Sequence, residues 1–427
     1  MSRLNVVFIE PGASPPEPGH DASDSQSLVE QHELDTNWTM VTDDEGIERA
    51  AAALADGTGP VGVDAERASG FRYTSDAYLV QVFRRGAGTF LFDPVGIESF
   101  APLAQALGEE SLDGQEWILH SASQDLACLA ALGLVPDRLF DTELASRLLG
   151  FERVGLGSIV ERLLGIRLHK AHSAADWSKR PLPEDWLEYA ALDVALLPEL
   201  RDAIAHELDV QGKREIAEQE FDATRTKPPK PAPAEPWRRL NGGNRLKTPR
   251  ELAIARELWL ARDELARDRD LGPGRLIPDS SIVAAAAAQP RSAGQLASLG
   301  DFKGRASRSE IERWWQAVLR GKTTDEVPGP APRDPGHLPH HRSWAQRRPE
   351  AAARLVSARE AVAAEADRQR IPVENLLTPE LLRRVAWDPP QPATAEAISE
   401  RLAALGARPW QIVITAPIIA AAFVGVA

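Results

Sequence analysis

The run Val61-Gly62-Val63-Asp64-Ala65-Glu66-Arg67 decides how this 427-residue chain is read. It ends an apolar strand with two carboxylates. Side chains alternate across a strand, so Asp64 and Glu66 point one way while Val61, Val63 and Ala65 point the other. One face then packs on a core and the other carries acids at its tip. Two like charges roughly 7 Å apart along a strand repel unless a cation lies between them. Oxygen donors of this kind suit magnesium or manganese. The spacing by itself leaves a second reading open, solvated charges at a strand end, because Asp-x-Glu also occurs at Asp43/Glu45 and Asp141/Glu143.

The length implies two or three domains, and 43% apolar residues with 11 Trp imply globular cores. A single cysteine, Cys128, excludes an intramolecular disulfide framework and a cysteine metal cluster, and suits a reducing cytoplasm. Leu4 to Ile9 is too short for a secretory h-region, and no segment gives a clean run of about 20 apolar residues. Trp410 to Ala427, interrupted by Gln411, Thr415 and Pro417, reads as a packed final helix. The net charge is −14, yet residues 1 to 60 hold 12 Asp/Glu against Arg3 and Arg49. Residues 236 to 320 carry 16 Lys/Arg against 10 Asp/Glu. A chain that is acidic overall therefore keeps a local basic region for a polyanionic partner.

Residues 1 to 36, rich in Pro, Ser, Asp and Glu, read as a disordered acidic tail. Thr42 with Glu45 forms a capping box that opens a helix through Ile47, Ala51 and Leu54. Strands to Glu66, from Tyr78 to Phe83 and from Gly88 to Phe92 make an antiparallel meander. Helix 97 to 107, strand Trp117 to His120 and helix 123 to 132 add a crossover, giving a mixed sheet flanked by helices.

Asp125 falls in the first turn of the third of these helices, where the helix dipole favours a carboxylate with or without function. His120 ends the strand before it, either as a hydrogen-bonded histidine or as a contact for a ligand. Further on, Pro183 opens a helix on which Tyr189 and Asp193 are i and i+4, with Leu187, Ala190, Ala191 and Val194 on the buried side. Tyr189 alone is equally an ordinary half-buried tyrosine bonded to a nearby acid.

Taken together, Asp64-x-Glu66, His120-x4-Asp125 and Tyr189-x3-Asp193 resemble the three motifs of four-carboxylate 3′→5′ exonucleases with a third-motif tyrosine. The text between them narrows the resemblance to ribonuclease D: Asp141-Thr142, Leu148-Leu149-Gly150, Gly155-Leu156, Leu164-Gly165, Lys170, Asp176-Trp177, Arg180-Pro181-Leu182 and Tyr189 to Val194. The resemblance implies a ribonuclease-H-like α/β exonuclease domain at 38–222, a linker at 223–236 and a small helical domain at 237–324 like that shared by helicases and ribonuclease D. A second linker at 325–341 would precede a divergent helical copy at 342–427.

The resemblance also implies hydrolysis of RNA 3′ ends, transfer RNA precursors among them, with two Mg2+ or Mn2+ ions. Asp64 would bridge both ions, Glu66 and Asp193 would complete the site nearest the attacking water, and Asp125 would hold the second ion. Tyr189 would orient the water. His120, Lys179, Arg180, Arg238, Arg239, Arg245, Lys247, Lys303 and Arg305 are candidate contacts for the RNA, with solvated charge the alternative for each. Trp237, Trp259, Trp314 and Trp315 read as core. No membrane and no obligate protein partner is implied. A DNA-end exonuclease and a catalytically inactive RNA-binding scaffold remain the competing readings.

Overall fold

The computed structural model describes residues 7–8, 37–108, 115–168, 175–329, 336 and 338–425. Lys170 and nearly all of the acidic tail lie outside them. Strand β1 (Val7–Phe8) is the part of that tail described. Strand β2 (Trp38–Val41) leads into helix α1 (Asp44–Ala55). Asp43, not Thr42, caps α1: its carboxylate accepts the Gly46 N–H at 2.7 Å. Aspartate three residues ahead of that donor is the stronger cap.

Strands β3 (Thr58–Arg67), β4 (Ala77–Arg85) and β5 (Gly88–Phe92) form the expected antiparallel meander. Helix α2 (Ala101–Ala106) is shorter than the expected 97–107, with Pro102 in its first turn and the Ser99 hydroxyl accepting the Ala101 N–H. Strand β6 (Glu116–Leu119), helix α3 (Leu126–Ala131) and strand β7 (Arg138–Asp141) make a parallel crossover. The sheet order is β2-β5-β4-β3-β6-β7, with β2 parallel to β5 at one edge.

Helices α4 (Thr142–Leu148) and α5 (Leu156–Leu164) lead to strand β8 (Ile166–Arg167), which pairs antiparallel with β1. Helices α6 (Glu184–Ala195), α7 (Leu197–Val210) and α8 (Arg214–Arg225) complete the α/β part. On β3, Val61, Val63 and Ala65 are buried as the alternation requires. Each such aliphatic side chain removed from water contributes about 1.5–3 kcal/mol. Gly62 is needed for a different reason: a Cβ there would stand 2.8 Å from the Val194 carbonyl oxygen. The end of α6 therefore rests directly on β3, one residue from Asp193.

The first helical unit contains α9 (Pro249–Asp268), α10 (Pro273–Leu276), α11 (Asp279–Ala288), α12 (Ala293–Ser298), α13 (Arg305–Ser309) and α14 (Ile311–Thr323). Thr248 and Glu251 close a reciprocal capping box at the start of α9. Leu258, Leu265, Ile282 and Trp314 belong to a core of its own. This unit docks on the loop that follows β3. Tyr73 N–H and Arg72 both reach the Asp270 carboxylate, the Tyr73 hydroxyl donates to Asp263 at 3.0 Å, and Gly272 N–H donates to the Phe71 carbonyl at 2.9 Å.

The second helical unit contains α15 (Trp344–Arg347), α16 (Pro349–Gln369), α17 (Val373–Leu376), α18 (Pro379–Trp387), α19 (Ala395–Ala404) and α20 (Pro409–Val424). Its apolar side chains join those of the α/β part in one cluster holding Phe221, Leu355, Trp410 and Phe423. Buried polar ties reinforce the joint. Lys213 Nζ donates to the carbonyls of Leu148 and Gln369, and the Arg408 guanidinium grips Glu220 at 2.5 and 2.7 Å. Trp410, Ile419 and Phe423 of α20 are buried, so the C-terminal apolar run is a packed helix. Among the described residues no helix is long and apolar enough to cross a membrane.

Candidate active site

Asp64 and Glu66 stand on the same face of β3, and Asp193 and Tyr189 approach them from α6. A donor oxygen from each of Asp64, Glu66 and Asp193 falls within 4.8 Å of the others. Burial pushes the Asp64 carboxyl up to about 6. Glu66 is pushed up to about 9, first by burial and then by the charges of Asp64, Asp193 and Asp125. Asp193 is raised well above the usual carboxylate range by burial and by Asp64. Tyr189 donates its hydroxyl hydrogen bond to Asp193, and burial together with that acid raises the phenol. Acids whose charged forms are disfavoured by burial and, for Glu66 and Asp193, by neighbouring carboxylates are what a cation stabilises.

Asp125 comes from a different element. It is the N-cap residue of α3 rather than a member of its first turn, and its side chain makes no capping bond. The carboxylate is therefore available to the site. It is 5% exposed. Burial, then Asp64, raises it to about 8. Asp141 holds the backbone that presents it: one oxygen accepts from Ser121, Glu143 and Leu144 N–H and the other from Ala122 N–H. The Asp-Thr dipeptide at 141–142 is thus a brace for the 120–125 loop.

Packing fixes α6. Trp177 is fully buried against Trp186, with ring centroids 5.1 Å apart, in a cluster with Leu79, Leu91, Ala190 and Ala191. Leu187, expected on the buried side, is only partly buried against this cluster, and Leu192 is buried as well. The Arg180 guanidinium bonds both oxygens of Asp93 at 2.6 Å and the Tyr78 carbonyl at 2.8 Å, pinning the preceding loop to the sheet.

The donors fit a hard divalent cation. They are oxygens alone, they repel one another, and Gln81, which faces Asp64 across the strand pair, is fully buried with neither amide atom hydrogen-bonded. Asp64, Glu66 and Asp193 could together hold such an ion, with Asp125 alongside.

The candidate RNA contacts scatter. His120 is half-buried with Nδ1 2.9 Å from the Thr142 hydroxyl, and burial lowers it to about 4. That geometry makes it a support for the loop. Lys179 is exposed beside the site loop, whereas Arg180 is engaged as above. Arg238 bonds Glu235 and the Gly329 carbonyl and lies over Trp237. Lys247 reaches the Asn244 carbonyl. Arg239, Lys303 and Arg305 are exposed, and Arg245 lines a cleft of about 850 Å³ at the start of α11. Trp237 and Trp314 are core, and Trp259 and Trp315 pack against it.

One residue at the site was missed in the sequence. Arg67, on the Ala65 side of β3, reaches to within 3.5 Å of Asp125. Opposite it the β3–β4 register skips Tyr78, pairing Glu66 with Leu79 and Arg67 with Ala77, and neither feature leaves a mark in the hydrophobic pattern.

Comparisons with known proteins agree with this geometry. The 3′-5′ exonuclease family model matches residues 38–209, the HRDC domain model 251–318, and a 3′ to 5′ exonuclease C-terminal domain model 337–423. Ribonuclease D of Escherichia coli is 31% identical over 267 residues, covering 62% of this chain and 70% of that protein. Its crystal structure, described as an exoribonuclease involved in structured RNA processing, aligns with a TM-score of 0.64 at 26% identity over 86% of this chain and 98% of that one. A crystal structure of a protein from Bifidobacterium adolescentis aligns with a TM-score of 0.81 at 36% identity, covering 91% of this chain and 97% of that one. Ribonuclease D of Nitrobacter hamburgensis is 31% identical over 43% of this chain, a match that spans 48% of its own length. With its carboxylates and tyrosine brought to one site on this scaffold, the chain belongs to the ribonuclease D family of 3′→5′ exonucleases.

Proposed function

We propose that the protein is a divalent-metal-dependent 3′→5′ exoribonuclease that trims RNA 3′ ends, transfer RNA precursors among them, and releases nucleoside monophosphates. The observation that carries this reading is the convergence of Asp64, Glu66 and Asp193 oxygens within 4.8 Å of one another. Two divalent ions bound there would supply positive charge to the attacking and leaving oxygens of an in-line displacement. In this reading Asp64 is shared between the two positions, Glu66 and Asp193 complete one, and Asp125 serves the other. Tyr189, fixed by its bond to Asp193, orients the attacking water. Of the candidate contacts, Lys179, Arg239, Arg245, Lys303 and Arg305 are exposed and available to the RNA backbone, whereas Arg180, Arg238 and Lys247 serve the fold first. The single cysteine, buried Cys128, agrees with a cytoplasmic setting.

The test is a 3′-extended transfer RNA, labelled at its 5′ end and incubated with manganese or magnesium. Wild type should give a ladder that shortens from the 3′ end, abolished by chelator and by Asp193→Asn. Tight binding without cleavage under either metal would sink the reading and favour an inactive scaffold; faster removal from a DNA strand of the same 3′ sequence would reassign the substrate.

A further inference from the structure

We propose that Arg67 binds a phosphate of the RNA at the active site, a role that rests on the exonuclease reading above. Strand alternation puts Arg67 on the Ala65 side at the end of β3, next to the 120–125 loop that carries Asp125. There it lies 3.5 Å from Asp125 with its side chain 27% exposed. It is the cation that acts on Asp64, Glu66 and Asp125 alike.

The character of the contact decides between a structural ion pair and a ligand-binding group. Two arginines that brace this fold at buried acids, Arg180 on Asp93 and Arg408 on Glu220, grip them with short paired bonds. Arg67 makes a single long approach, and none of its donors has a hydrogen bond among the described residues. A guanidinium carries five donors in a fork that matches phosphate oxygens. Leaving such a group unused, part-exposed and beside Asp64, Glu66 and Asp125 makes sense if its partner arrives with the substrate. The charges agree. Four carboxylates and two divalent ions cancel, so Arg67 leaves the loaded site with one positive charge for the single negative charge of a phosphodiester. With ions bound to the carboxylates, the guanidinium would be free to turn from Asp125 to a non-bridging phosphate oxygen.

Arg67→Gln keeps the length of the side chain and removes its charge; Arg67→Lys keeps the charge and loses the fork. The affinity of a single-stranded RNA oligonucleotide is measured by fluorescence anisotropy in calcium, and manganese affinity by calorimetry without RNA. For Arg67→Gln, RNA binding should weaken about tenfold, the loss of one charge-assisted hydrogen bond. Its dependence on log salt should be shallower by about one unit. KM should rise with kcat within a few-fold, Arg67→Lys should recover part of the loss, and manganese affinity should be unchanged or tighter. Weaker manganese binding with RNA affinity intact would overturn the proposal and make Arg67 a prop for Asp125. Unchanged values for both would overturn it too. If wild type neither binds nor degrades RNA, the exonuclease reading has failed first; if wild type is active and Arg67→Gln binds RNA equally well, this proposal alone has failed.

Discussion

Tyr189 separates two kinds of contribution at the site, because it touches Asp193 without being a carboxylate. Tyr189→Phe removes one hydroxyl and leaves the acids in place, so kcat should fall about 10²-fold, in the range for one positioned proton-handling group. Asp193→Asn should cost more and should weaken manganese binding in calorimetry, which Tyr189→Phe should not. The acids also make a pH prediction. Glu66, Asp125 and Asp64 are raised to about 9, about 8 and about 6. Between its ordinary value and its folded value, each group binds a proton in the folded state that the unfolded chain has lost. Stability therefore falls as pH rises through that window. In chelator the melting temperature should drop steadily from about pH 5 to about pH 9, and manganese should flatten the slope by stabilising the charged form. A flat profile in chelator would mean that the acids are far better solvated than the structure shows. Strand and helix periods put Asp64 with Glu66 and Tyr189 with Asp193 on shared faces, but it was the resemblance to a family's ordered motifs that joined them with Asp125 into one candidate site. Arg67 and Gln81 were not legible: one meets Asp125 only through the fold, and the other looks like a polar interruption in an apolar strand.

Among the elements, the long periodic ones were the readable ones. Strands β3, β4 and β5 and helices α6 and α9 carry enough turns or alternations to declare themselves. Strand β2 did not, since Trp38-Thr39-Met40-Val41 is too short for a pattern and gains its place only by pairing with β5. Helix α1 shifted by one cap because Thr42 and Asp43 both satisfy a capping rule and only the backbone chooses. The docking of α9 and α10 on the loop after β3 was invisible for a related reason: it joins residues about 200 positions apart. Gly272 is its most sensitive point, where a Cβ would meet the Gly70 carbonyl oxygen at 2.4 Å. Gly272→Ala should cost about 1–3 kcal/mol through overpacking and should raise the radius of gyration measured by X-ray scattering while the α/β part keeps its circular dichroism. An unchanged radius would show that the loop yields instead of the helical unit.

Across the whole molecule, the division into an α/β part and helical units was readable from composition and linkers. Their unequal attachment was not. The first helical unit has a core of its own, whereas the second shares one with the α/β part. Arg408→Ala should therefore destabilise more than a surface change does. It leaves the Glu220 carboxylate, 5% exposed, without its cation, and breaking a buried pair on one side costs about 3–5 kcal/mol. The check is urea unfolding followed at both far-ultraviolet and tryptophan signals. A loss below 1 kcal/mol would show that Trp410, which also donates to Glu220 at 2.8 Å, suffices alone.

The same joint gives the molecule a clock. Glu220 meets Arg408 across 188 positions of sequence, so a chain leaving the ribosome carries α8 with a buried acid whose partner does not yet exist. At about 5–20 residues per second, that interval is on the order of ten to forty seconds. During it the face of the α/β part around Phe221 stands open, and the fold closes only when α20 arrives.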